Sequence, residues 1–165
     1  PYPPDDSPSG NLPTNNGPLR GQKGMVYEGG MRVPTLVSWP GKIAARQEPT
    51  PAFIADWMPT FCQLASYDPT VDLRWDGTDL TALLLENAPL PERPIYIAGP
   101  RWRAVSLRIG NWKLVASERD RHELFHIAKD PSEEFNLANE EPERLKAMLA
   151  TLEEARTKDN DSVVK

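Results

Sequence analysis

An α/β segment followed by a small α+β domain, an antiparallel sheet backed by one helix, is the architecture that these 165 residues predict. Three observations carry that reading. An apolar, β-branched run from Val33 to Trp39 leads into a stretch whose apolar residues recur at helical spacing. Pro89, Pro91 and Pro94 then punctuate the chain and enforce a linker. Beyond them, short strand-like runs separated by turns give way to a final amphipathic helix.

Residues 1–17 are rich in proline and poor in apolar side chains, which predicts a loop or frayed start. A strand over 31–39 follows, closed by the turn Pro40-Gly41. Phe53, Ile54, Trp57, Met58, Phe61, Leu64 and Ala65 space a helix over 51–65 that Pro59 should kink or split. Thr78 or Asp79 can cap a short helix through Leu80, Leu83 and Leu84. After the linker, Ile95–Ala98 is a short strand, and Ala104–Leu107 and Trp112–Ala116 flank Ile109-Gly110-Asn111 as a hairpin. Glu123–Ile127 is a further strand, ended by Asp130-Pro131. Glu141-Pro142 opens the last helix, with Leu145, Met148, Leu149, Leu152 and Ala155 on one stripe. The expected division is therefore a loop at 1–17, an α/β part at 18–92, the sheet and helix at 93–158, and a frayed tail at 159–165.

Composition narrows the partners. A formal net charge of −5 disfavours nucleic acid, which rewards concentrated Lys and Arg. No apolar run approaches the roughly 20 residues that span a bilayer. The single cysteine, Cys62, excludes an internal disulfide and a multi-thiolate zinc site; its place on an apolar helix face reads as core. Eighteen prolines, about twice the usual share, predict many loops between short elements. The opening Pro1-Tyr2-Pro3-Pro4 reads as an interior loop of a longer protein, so compartment is not legible.

One stretch is more informative than the rest. From Pro18 to Lys42 five glycines relax the backbone, and Lys23 stands between Gly21 and Gly24, where a compact cation could meet an anionic group. Two nearby patterns compete as nucleophile or metal ligands. Ser38-Trp39-Pro40-Gly41-Lys42 is rejected as a nucleophile motif, and Asn15-Asn16-Gly17 reads as the loop before Pro18, since no apolar strand precedes it.

Pro18-Leu19-Arg20-Gly21-Gln22-Lys23-Gly24 and Tyr27-Glu28-Gly29-Gly30-Met31-Arg32-Val33-Pro34 are the first of several ordered blocks. Trp39-Pro40-Gly41-Lys42, Asp56-Trp57-Met58-Pro59-Thr60, Arg108-Ile109-Gly110-Asn111-Trp112-Lys113-Leu114, Glu123-Leu124-Phe125 and Asp130-Pro131-Ser132-Glu133 continue the series. In that order they resemble the C-terminal part of a sulfatase, most closely the arylsulfatase B-like, formylglycine-dependent group. The resemblance implies the tail of an alkaline-phosphatase-like domain followed by the small C-terminal domain. It implies hydrolysis of a sulfate ester on a small molecule or glycan, with a formylglycine nucleophile and a calcium ion whose ligands lie outside this chain. Family habit adds a periplasmic, secreted or lysosomal setting. Lys23 falls at the position of a family lysine that contacts the sulfate and is carried over as catalytic and substrate-binding. Taken alone, the 165 residues are expected to be inactive.

Two other readings compete with this one. His122-Glu123-Leu124-Phe125-His126 matches the H-E-x-x-H pattern of zinc metalloproteases, which needs a helix to bring both histidines to one face. The polar flank Ser117–Arg121 and the early Asp130-Pro131 argue for a strand instead. The third reading is a non-catalytic carbohydrate-binding or structural module, in which tryptophans offer aromatic faces to a sugar. Trp102, between Arg101 and Arg103, is the residue expected at the rim of a substrate cleft.

Overall fold

The computed structural model describes residues 16–70, 72–100, 103–117 and 121–158. They form two compact units, one made of residues 16–34 with 94–157 and the other of residues 35–93. The segment 18–34, expected to go with 35–92, thus packs with the sheet.

The first unit is a four-stranded antiparallel meander in the order β1 (Pro94–Ala98), β2 (Ala104–Ile109), β3 (Trp112–Ser117) and β4 (Arg121–His126). Gly110, with φ of +55°, and Asn111 make the two-residue turn between β2 and β3, and Ile109 pairs with Trp112 beside it. Side chains alternate across the sheet, so each strand serves two faces. Val105, Leu107, Leu114, Ala116 and Leu124 form one face against Met148 and Leu152 of α4 (Pro142–Thr157). Val115, Phe125 and Ile127 form the other, against Val26, Tyr27 and Met31. Both faces are therefore covered, one by the last helix and one by the glycine-rich segment. This is why Leu107, Leu114, Leu124 and Phe125 are all fully buried. Each such side chain contributes about 1.5–3 kcal/mol by leaving water.

The strand expected over 31–39 does not form. A single helical turn, α1 (Glu28–Met31), ends at Arg32, whose backbone is extended, and residues 33–39 carry no ladder partner among the described residues. β-branched residues favour an extended backbone, but a strand exists only where a neighbour completes its hydrogen bonds. Val33 and Leu36 stand 72% and 91% exposed.

In the second unit the expected helix over 51–65 is split. A 3₁₀ turn, Ile54–Asp56, leads into α2 (Trp57–Leu64). Pro59 sits in the first turn of α2, where backbone N–H groups lack helical partners and proline costs nothing. The short helix α3 (Thr81–Glu86) starts where Asp79 Oδ1 accepts from the Thr81 N–H at 2.8 Å and ends at Asn87 in the left-handed region. Asp56 is fully buried and organises this unit: its carboxylate accepts from the Phe53 and Thr78 N–H groups at 2.9 and 2.8 Å and pairs with Arg93. Thr60 links the two helices, donating to the Asp56 carbonyl at 2.6 Å and accepting from the Leu80 N–H at 2.9 Å.

Candidate functional site

The glycine-rich segment turns tightly around Lys23. Gly21 and Gly24 both adopt φ of +86°, a conformation that side-chain-bearing residues rarely reach, and Met25 N–H closes the turn onto the Gln22 carbonyl at 2.9 Å. Lys23 is exposed at this turn and makes no hydrogen bond or ion pair among the described residues. Residues 99–100 flank it: a Cβ added at Gly24 would lie 3.8 Å from Pro100 Cγ, and one at Gly99 would lie 3.1 Å from Val26 Cγ1. Trp102 lies outside the described residues.

What holds the turn is a set of long-range contacts that the sequence did not announce. Asn16 Nδ2 donates to the Gly29 carbonyl at 2.8 Å and to that of Gly21 at 3.3 Å, so Asn16 braces this loop. Gly29 N–H donates to the Arg20 carbonyl at 2.7 Å. A Cβ at Gly29 would come within 2.9 Å of three carbonyl oxygens, those of Leu19, Arg20 and Gly21, so only glycine permits this approach.

Before the turn, Arg20 donates from Nη1 to Glu123 Oε1 at 3.0 Å and to the Glu133 carbonyl at 3.1 Å, and from Nη2 to the Tyr27 hydroxyl at 3.2 Å. Its guanidinium lies 3.9 Å from the centroid of the Tyr27 ring. The Tyr27 hydroxyl in turn donates to Glu123 Oε2. Burial and the Glu123 carboxylate push the Tyr27 phenol from 10.0 up to about 12.

After the turn, Glu28, the first residue of α1, reaches a cation of the sheet. Lys113, with no exposed surface at all, donates to Glu28 Oε1 at 2.9 Å and stands 2.8 Å from Glu133 Oε1. Glu28 N–H donates to Glu133 Oε2 at 2.6 Å, and Arg108 approaches Glu28 Oε2 at 3.6 Å. Two carboxylates thus face two cations inside the protein, a balance that offsets their desolvation. Glu133 reaches in from a turn with φ of +55°, held by Asp130, whose carboxylate accepts from the Glu134 and Phe135 N–H groups. Burial pushes the Glu133 carboxyl above its ordinary value, against the opposing pull of Lys113 and the Glu28 N–H. The one sequence signal for this cluster was Lys113 itself, a cation set among apolar residues in a strand.

The metalloprotease reading is overturned here. His122, Glu123 and His126 lie on strand β4, where Leu124 and both histidines share the face toward α4 while Glu123 turns to the opposite face and to Arg20. The His126 ring packs edge-on against Trp112 with centroids 4.8 Å apart. No group of three or more His, Cys, Asp or Glu side chains among the described residues could hold a metal ion. The buried acids do not fit calcium either, since Glu28, Glu133 and Asp56 are taken up by Lys113, Arg108 and Arg93. Ser38 is exposed on the unpaired extended run, and Cys62 is half-buried on α2 rather than fully in the core. Trp112 is a packing residue, with the Arg144 guanidinium 4.3 Å from its ring centroid.

Comparisons with known proteins agree with this frame. The Sulfatase family model matches residues 5–67. Arylsulfatase A of Homo sapiens is 32% identical over 81% of this chain and 32% of its own length. Steryl-sulfatase of Rattus norvegicus is 31% identical over 86% of this chain and 32% of its own length. The crystal structure of Ps i-CgsB superposes with a TM-score of 0.78 at 30% identity, covering 85% of this chain and 32% of that one. The same protein was solved in complex with k-i-k-neocarrahexaose. The chain spans about a third of the length of the curated relatives it matches.

Proposed function

This chain belongs to the sulfatase family, and from that premise we propose that it supplies one wall of the active site of a sulfuric ester hydrolase. Lys23 is the catalytic, substrate-contacting residue of that wall. The observation that carries the reading is the Lys23 turn: an exposed ammonium on a backbone whose two ends are fastened to a folded sheet. An ammonium offers three donors and a full charge to an anion that is already negative and whose charge moves to the leaving oxygen as the S–O bond breaks. Formylglycine as nucleophile and calcium as the companion cation complete the proposal, the first formed from, and the second held by, residues outside these 165.

The substrate class is a sulfate ester on a small molecule or a glycan. Relatives named for aryl, steryl and N-acetylgalactosamine-6-sulfate substrates, and a solved structure holding neocarrahexaose, support that breadth. Trp102 is proposed as a substrate-binding residue at the rim of the cleft. It follows by two residues Pro100, which flanks the Lys23 turn.

The test is hydrolysis of p-nitrophenyl sulfate by the full-length protein and its Lys23→Ala variant. The expected loss in kcat/KM is about 10²–10³-fold, the usual cost of removing one preorganised charge donor. Activity within about twofold of wild type would overturn the reading, being far below the cost of such a donor. For Trp102→Ala, unchanged affinity for a sulfated oligosaccharide removes that residue from the site. The 165 residues alone are expected to turn over no aryl sulfate, and turnover would refute that.

A further inference from the structure

We propose that Arg20 is a positioning residue for Lys23, an inference that rests on the reading of Lys23 as the group that grips the sulfate. A lysine on a glycine turn has freedom at two levels, four side-chain torsions and two backbone positions with positive φ. Charge alone does not aim it; something must fix the turn. Arg20 stands immediately before Gly21, and its planar guanidinium reaches three oxygen partners in different directions while lying over the Tyr27 ring. Those partners are a strand of the sheet, the Asp130–Glu133 loop and the residue at the far side of the turn. One side chain thereby ties both ends of the Lys23 turn to the sheet.

The alternative is that Arg20 only stabilises the fold. Its exposure argues against that: 41% of the Arg20 side chain and 28% of the Glu123 side chain remain accessible, and exposed ion pairs add little to global stability. Arginine rather than lysine is required because an ammonium cannot span three separated acceptors or stack on the ring.

The experiment is a double-mutant cycle in the full-length protein, read as kcat and KM toward p-nitrophenyl sulfate. The variants are Arg20→Ala, Arg20→Lys, Lys23→Ala and the Arg20→Ala/Lys23→Ala pair, each with its thermal unfolding midpoint. Arg20→Ala is expected to lower kcat about 10- to 100-fold, the scale of a misplaced catalytic group, with the unfolding midpoint nearly unchanged. Arg20→Lys should fall with it, because the fork is lost although the charge stays. On top of Lys23→Ala, removing Arg20 should change the rate less than about twofold, since the group it aims is gone. An equal loss in both backgrounds, or no loss at all, overturns the positioning role and leaves the Lys23 reading standing. A harmless Lys23→Ala overturns both. Should Arg20→Ala unfold the protein, Glu123→Gln carries the same cycle from the acceptor side, with the same outcomes.

Discussion

Residues 94–157 with 16–34 bury a cluster of charges and cover both faces of a sheet, whereas residues 35–93 bury a single carboxylate, Asp56, and leave several large apolar side chains exposed. In the first unit Lys113, Glu28 and Glu133 are buried together on the face that carries Phe125 and Val115, and both faces of the sheet are occupied. In the second, Leu36, Ile54, Met58 and Phe61 stand more than half exposed, and Leu80 and Leu83 are the buried aliphatic pair. The difference teaches that in one unit the sheet is covered on both faces by the unit's own residues. The other is organised mainly by polar capping around Asp56 and Thr60 and leaves apolar surface that its own residues do not cover.

The sharpest way to break this contrast is Lys113→Met. It leaves Glu133 without its cation and Glu28 with only Arg108 at 3.6 Å, and should cost about 3–5 kcal/mol in denaturant unfolding of the first unit, the usual toll for an uncompensated buried charge. A loss below about 1 kcal/mol, the scale of an exposed pair, would show that the cluster is hydrated. Gly29→Ala comes next, at about 1–3 kcal/mol, because its Cβ meets three carbonyl oxygens with no room to yield.

A pH experiment probes the contrast more gently. The Tyr27 phenol is raised to about 12, so an unfolded chain ionises it near 10 while the folded one keeps its proton. Stability therefore falls as pH rises between about 10 and about 12, and Tyr27→Phe removes that slope. Ultraviolet titration of the Tyr27→Phe difference should place the phenol near 12, and Glu123→Gln should bring it down; a midpoint at 10 would contradict the Tyr27–Glu123 contact. Smallest of all, Leu36→Ser in the second unit should shift stability by less than about 0.5 kcal/mol while reducing binding of an apolar dye.

Much of this was legible from local pattern. The meander and α4 followed from short strand-like runs separated by turns and from the stripe Leu145–Leu152, both of which are set by neighbours in sequence. The flanks of His122–His126 correctly favoured a strand over a zinc helix. The strand over 31–39 failed because ladder formation depends on a partner that local composition cannot supply. At the site, Lys23 was visible through its glycines. Its supports were not: Glu28 meets Lys113 across 85 positions and Glu133 across 105, and no local rule pairs residues at such separations.

Those separations have a consequence for how the protein is made. A ribosome releases the glycine turn long before the residues that clasp it, since Glu123 trails Arg20 by 103 positions. Until β3 and β4 have emerged and paired, the nascent chain carries its lysine on an open tether, and closure must await the slowest kind of encounter, between distant parts of the polymer. The cation is thus armed last, by the piece of chain translated after it.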